Sequence, residues 1–188
     1  MENSILVRYG ELFLKGKNKK YFENTLLQNI KDSLSEISCN VYKISGRIIV
    51  NKFNPDSETA IISKLTKVFG IHSISPAVCF KTSVEGIKAY VKSIPVTQKT
   101  FRVTVNRADK TFPIKSIDFE KELGGDVLSV NPNLKVNLHQ PELHISIDIR
   151  ENGETFAYFQ TIKGSGGMPS STSGKAMLLL SGGMLVKK

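Results

Sequence analysis

An α+β fold in two lobes is predicted by three features of the sequence. Short alternating runs rich in Val and Ile are interleaved with stretches whose apolar residues recur at helical spacing, so strands and helices mix along the whole chain. The first 80 residues carry the order strand, helix, strand, strand, helix, strand, and a second set of strands and helices follows. With 188 residues, 40% hydrophobic and 23% charged, the chain can bury one or two modest cores.

Ile5–Tyr9 reads as a strand and Gly10–Gly16 as the loop beyond it. A helix is expected from Asn18 to Glu36, because Phe22, Leu26, Leu27, Ile30 and Leu34 share one face while Lys19, Lys20 and Lys31 stay in water. Val41–Ile44 and Arg47–Val50 flank Ser45-Gly46, whose glycine suits a tight hairpin turn. After Asn54-Pro55-Asp56 come a helix from Ser57 to Val68, ended by Gly70, and a strand from Ile74 to Phe80. That order is the ferredoxin-like split βαβ plan, and it assigns an N-terminal ferredoxin-like domain to residues 1–75.

A second, α/β domain is assigned to residues 76–165. Val84–Ile94 has helical register and is stopped by Pro95. Phe101–Val105 alternates as a strand, and Ile117–Val130 reads as a helix that Gly124-Gly125 threatens to break. Lys135–Leu138, His144–Arg150 and Phe156–Gln160 are strand candidates, the last two joined by the hairpin signal Asn152-Gly153. The connection between the lobes is short, so they should sit in contact. Residues 166–188 are rich in Gly and Ser and read as a flexible linker ending in a buried-strand run, Met177–Leu180. A Walker A phosphate loop is excluded there, since Pro169 and Ala176 stand where it needs Gly and Ser or Thr.

The formal net charge of +9 favours an acidic partner, either nucleic acid or an anionic membrane face. No apolar run approaches the roughly 20 residues that span a bilayer, and the Met1-Glu2-Asn3 start lacks the basic opening of a secretory signal, so a cytoplasmic location is expected. Cys39 and Cys79 read as small, partly buried thiols, and His72, His139 and His144 lack metal-ligand spacing, so no metal site is expected. The organising stretch is Asn106–Ser116, where Arg107, Lys110 and Lys115 crowd one turn with a single acid, Asp109, before a helix start. Backbone N–H groups at a helix start, with cations nearby, suit phosphate, and the alternative is an ordinary solvated loop. Lys15, Lys17, Lys19 and Lys20 crowd the start of the first helix in the same way, for anion binding or for solubility. Phe112 suits either a base stack or a hydrophobic anchor for the turn. Past Glu154 there is no acid, and Lys163 is expected to add to the basic turn.

Arg8-Tyr-Gly-Glu-Leu-Phe-Leu-Lys-Gly-Lys-Asn18, Arg107-Ala-Asp-Lys-Thr-Phe-Pro113, Gly164-Ser-Gly-Gly-Met-Pro169, Thr172-Ser-Gly-Lys175 and Leu178-Leu-Leu-Ser-Gly-Gly183 resemble, in that order, the front of the tRNA 4-thiouridine synthases, or tRNA sulfurtransferases. The resemblance implies a ferredoxin-like domain, a THUMP domain that binds tRNA at the acceptor stem and 3′ CCA end, and a PP-loop pyrophosphatase domain. In that family ATP and Mg serve adenylation of the uridine at tRNA position 8 before sulfur enters, a cysteine desulfurase is the implied sulfur donor, and the protein also serves thiamine synthesis. Here Met184, Leu185 and Val186 follow Ser181-Gly182-Gly183 where the family continues with an apolar residue, Asp and Ser. Ser181, Gly182 and Gly183 are therefore expected to be a vestigial nucleotide-binding end, with no catalytic residue and no cofactor in this chain, which reads as cut short at the start of the PP-loop. The expected function is tRNA binding by Arg107, Lys110, Phe112, Lys115, Lys163, Lys15, Lys17 and Lys19. Two alternatives stand beside it: a stand-alone THUMP adaptor serving a separate enzyme, and a residual ATP-binding enzyme fragment.

Overall fold

The structure, a computed structural model, describes residues 1–10 and 18–172. The elements in chain order are β1 (Glu2–Tyr9), α1 (Lys19–Ser33), β2 (Asn40–Ile44), β3 (Arg47–Asn51), a single 3-10 turn at Pro55–Ser57, α2 (Glu58–Leu65), β4 (Ile71–Lys81), α3 (Val84–Ser93), β5 (Thr100–Arg107), α4 (Ser116–Val130), β6 (Lys135–Val136), β7 (Leu143–Ile149), β8 (Glu154–Tyr158) and β9 (Ile162–Lys163). The fold class expected above is therefore the one observed. Two details differ. α4 runs unbroken through Gly124-Gly125, because packing of Phe119, Leu123 and Val127 outweighs the weak helix propensity of two glycines. The strand expected over Lys135–Leu138 shortens to two residues.

The two lobes share one sheet. Among the described residues its order is β2-β3-β1-β4-β8-β7-β5-β6, with β9 also paired to β4. β4 is the common strand: one edge carries β1 along its whole length, and the other carries β9 at Ser73 and Ile74 and β8 from Val78 to Lys81. Side chains alternate across a sheet, so the register Val78↔Ala157, Ala157↔Ile147 and Ile147↔Val105 puts these residues on one face, together with Ile74 and Val7. That face carries both helix pairs. Leu26 and Ile30 of α1 and Ile61 and Leu65 of α2 pack on Ile5, Val7 and Ile74, while α3 and α4 pack on Val105, Ile145 and Ile147.

The other face holds a smaller cluster, Leu6, Ile49, Ala77, Cys79 and Phe156, and a buried charge group. Asp148 on β7 is 0% exposed. It accepts from Asn106 Nδ2 at 3.0 Å and Arg150 Nη1 at 3.3 Å, and pairs with Arg47 Nε at 3.6 Å. Arg150 also donates to the Ser45 carbonyl in the β2–β3 turn. Four strand spacings separate β3 from β7, about 19 Å in a flat sheet. Their contact shows that the sheet curls over this face, and the charge group locks the two domains together.

After β8 the chain returns to the first domain, where a flexible linker was expected. Gly164 N donates to His72 O at 2.9 Å, Gly166 N to Ile71 O at 2.8 Å, Gly70 N to Gly166 O at 2.7 Å and Ser165 Oγ to Thr66 O at 2.6 Å. Pro169 is buried and Met168 packs on the first core. The glycines serve close approach here, not flexibility, since a Cβ on Gly164 would lie 2.3 Å from Ile71 O. Gly164→Ala is expected to destabilise the fold by about 1–3 kcal/mol, the usual cost of overpacking. A urea midpoint equal to wild type would show that this strap yields instead.

Candidate functional site

The basic turn between β5 and α4 is built from anchors. Ala108 N donates to Ile149 O at 2.9 Å, fastening the turn to β7. Asp109 Oδ1 accepts from Thr111 N at 2.8 Å and from Thr111 Oγ1 at 2.7 Å. Those two bonds, with the Arg107 charge, hold its carboxyl below the usual value. Arg107 Nη1 reaches across the turn to Phe112 O at 2.8 Å and Ile114 O at 3.3 Å. Arg107 thus staples the loop as well as charging it. Phe112 is 6% exposed and packs at 5.3 Å from the Phe119 ring, which corrects the base-stacking expectation: the ring is the anchor of the turn.

What the turn presents outward is Lys110, Lys115 and the start of α4. Lys115 is the N-cap and supplies no side-chain hydrogen bond, where Ser, Thr, Asp or Asn would satisfy a free backbone N–H. The positive helix end therefore stays available to an anion, with Asp118 the acid of the first turn. α1 begins the same way: Asn18 makes no side-chain cap bond, and Lys19 and Lys20 follow with no acid in the first turn. Lys19 lies 3.8 Å from Glu23 one turn on. Lys15 and Lys17 lie outside the described residues, as do Met177–Leu180, Ser181, Gly182 and Gly183.

Lys163 does not join the turn. It pairs with Ser73, at the end of β4 where Tyr9 leads toward α1, whereas Arg107 is level with Phe80 through Ile149 and Thr155. Seven residues of strand, roughly 23 Å, separate those levels. Local sequence distance hid this, because β9 carries the chain back along β4. The basic residues thus form two groups at opposite ends of β4, on a platform whose halves are locked.

Two titrating groups support the frame. Burial pushes the Glu23 carboxyl up, but hydrogen bonds from Lys43 and Tyr9 and the charges of Lys43 and Lys19 outweigh it and hold Glu23 below its ordinary 4.5. Burial first, then the Arg102 charge, lowers His144, whose Nε2 lies 2.9 Å from Thr104 Oγ1. Both groups have folded values below the unfolded ones, so their stability contribution is present at neutral pH and lost on acidification. The urea midpoint is expected to fall as pH drops below about 6.5 and again below about 4.5. In His144→Gln the first decline should be missing.

Burial, then the charges of Glu154 and Glu2, pushes the Cys79 thiol up to about 12, and burial raises Cys39, so neither supplies a thiolate at neutral pH. Among the described residues no group of three or more His, Cys, Asp or Glu could hold a metal ion, and no helix is long and apolar enough to cross a membrane. The sequence reading missed Arg47, Asp148 and Arg150. Its only signal was Asp and Arg two apart on one strand, which places them on one face but does not reveal burial.

Comparison with known proteins places these features. Residues 4–75 match the family model of the ThiI ferredoxin-like domain and residues 81–156 that of the THUMP domain. A probable tRNA sulfurtransferase of Alkaliphilus metalliredigens is 39% identical over 98% of this chain and 48% of its own length. One from Caldanaerobacter subterraneus is 42% identical over 98% of this chain and 48% of its own length. Among solved structures, a 4-thiouridine synthetase in complex with RNA and bound ATP superposes with a TM-score of 0.77 at 29% identity, covering 97% of this chain and 47% of that one. The chain spans about half the length of the curated relatives it matches.

Proposed function

Because this chain belongs to the tRNA sulfurtransferase family, we propose that its two domains form a tRNA-binding platform for uridine thiolation, in which the THUMP domain reads the acceptor stem and the 3′ CCA end. The observation that carries this reading is the pair of lysine-bearing helix starts, on α1 and α4, each without a side-chain cap and both mounted on one locked sheet. Such groups neutralise phosphates and fix the register of a folded RNA, whose backbone is more accessible than its base edges. Lys110, Lys115 and the α4 start take one region of the RNA; Lys19, Lys20 and Lys163 take another. The solved relative in complex with RNA supports it. Adenylation and sulfur transfer, with ATP, Mg and a cysteine desulfurase as sulfur donor, we assign to the part of the family's architecture outside the two matched domains. The same reading places the protein with tRNA in the cytoplasm.

Four to five phosphate contacts from these lysines predict that tRNA affinity falls roughly 150- to 500-fold between about 50 and 200 mM salt. Fluorescence anisotropy with labelled tRNA measures it. Affinity that stays level across that range would sink the electrostatic reading.

A further inference from the structure

α4 has two apolar faces. Phe119, Leu123 and Val127 are buried against the sheet. Ile117, Gly124, Gly125 and Leu128 instead line a groove of about 570 Å³, closed on the far side by Val136 and Leu138. Ile117 is 68% exposed, Leu138 59% and Val136 53%. The groove exists because β6 is two residues long, so the sheet ends beneath a helix of 15 residues. A contiguous patch of exposed aliphatic side chains costs solubility and marks an interaction surface.

The glycines sharpen this. A Cβ on Gly124 or Gly125 would meet nothing within 4 Å, and neither residue has a positive φ. Glycine in a helix is unfavourable relative to alanine, so nothing among the described residues explains the pair. Close approach of another backbone from outside does.

The lining selects the occupant. Its one aromatic residue, Phe101, is buried, so no ring is offered to a nucleobase, whereas aliphatic ridges with a small-residue floor suit the apolar face of a helix. Arg102 and Lys121 line the groove and Lys135 stands exposed on β6. The lining acid, Glu120, is engaged by Val105 N at 2.9 Å and Arg102 donates to Leu138 O at 3.0 Å, which leaves exposed Lys121 and Lys135 to face an occupant. An incoming helix therefore needs acidic flanks. Residues 173–188 carry no Asp or Glu, so such a helix is not supplied by that tail.

We propose that the groove between α4 and β6 docks an acidic amphipathic helix of a partner protein, with its apolar ridge between Ile117 and Leu138 and its backbone crossing α4 at Gly124-Gly125. The test uses the full chain and a labelled helical peptide of about five turns, with leucines at i, i+3, i+4 and i+7 spacing and flanking glutamates. A scrambled peptide of the same composition is the control. The double variant Gly124→Ala with Gly125→Ala is expected to unfold at a higher temperature yet lose peptide affinity at least about tenfold, with tRNA affinity within about twofold of wild type. Leu138→Ser should lose peptide affinity likewise. Equal binding of the scrambled peptide, or undiminished binding by the variants, overturns the proposal. A parallel loss of tRNA affinity also overturns it and makes the groove an RNA slot, and self-association abolished in the double variant overturns it in favour of a second copy. Absence of tRNA binding in wild type would bear on the function proposed above and leave the peptide result intact.

Discussion

Asp148→Ala is expected to cost about 3–5 kcal/mol of folding stability, the range for removing one partner of a buried ion pair. The carboxylate is the acid between Arg47 and Arg150, whose side chains are 19% and 7% exposed. Burial already pulls the Arg47 guanidinium down, Asp148 counters that, and Arg150 and Arg8 add to the depression. With the acid gone, two guanidiniums face each other in a poorly solvated place, and Asn106 loses its acceptor. Asp148→Asn keeps the shape and loses the charge, so it should fall between alanine and wild type. Urea denaturation followed by far-UV circular dichroism gives the midpoint. A loss below about 1 kcal/mol would mean that the cluster behaves as a solvated surface pair.

The order of strands and helices was legible because each element carries its own period: Leu26, Ile30 and Leu34 repeat as a helix does, and Phe101, Val103 and Val105 alternate as a strand does. Long-range pairing has no such local trace. Gly164-Ser-Gly-Gly-Met-Pro169 has the composition of a free linker, yet its glycines are there for contact with Ile71 and Gly70, residues nearly a hundred positions earlier. Lys163 was grouped with the turn for the same reason. Asp148 and Arg150 share one face of a strand by their spacing, which carries no trace of burial, and only the curl of the shared sheet buries them. The basic turn was legible as charge. Its division of labour was not: Arg107 and Phe112 hold the loop, and Lys110, Lys115 and the α4 N–H groups face outward.

That division makes Arg107→Ala the most damaging single change to RNA binding, expected to weaken tRNA affinity by about 1–3 kcal/mol, more than Lys110→Ala or Lys115→Ala alone. A lysine removes one charge near the phosphates. The arginine removes a charge and also frees the Phe112 and Ile114 carbonyls, so the cap at Lys115 loses its fixed position over α4. Arg107→Lys should then behave almost as badly as alanine, since one ammonium cannot reproduce the reach of a guanidinium to both carbonyls. Buried Phe112 predicts a further contrast: Phe112→Leu should cost stability but little RNA affinity once the protein is folded. Anisotropy with intact tRNA and with tRNA trimmed of its single-stranded 3′ nucleotides decides whether the turn meets the CCA end. Trimming is expected to weaken wild type strongly and Arg107→Ala hardly at all, because the variant has already lost that contact. If trimming weakens both to the same degree, the turn grips another part of the RNA, and the assignment of the 3′ end to it is wrong.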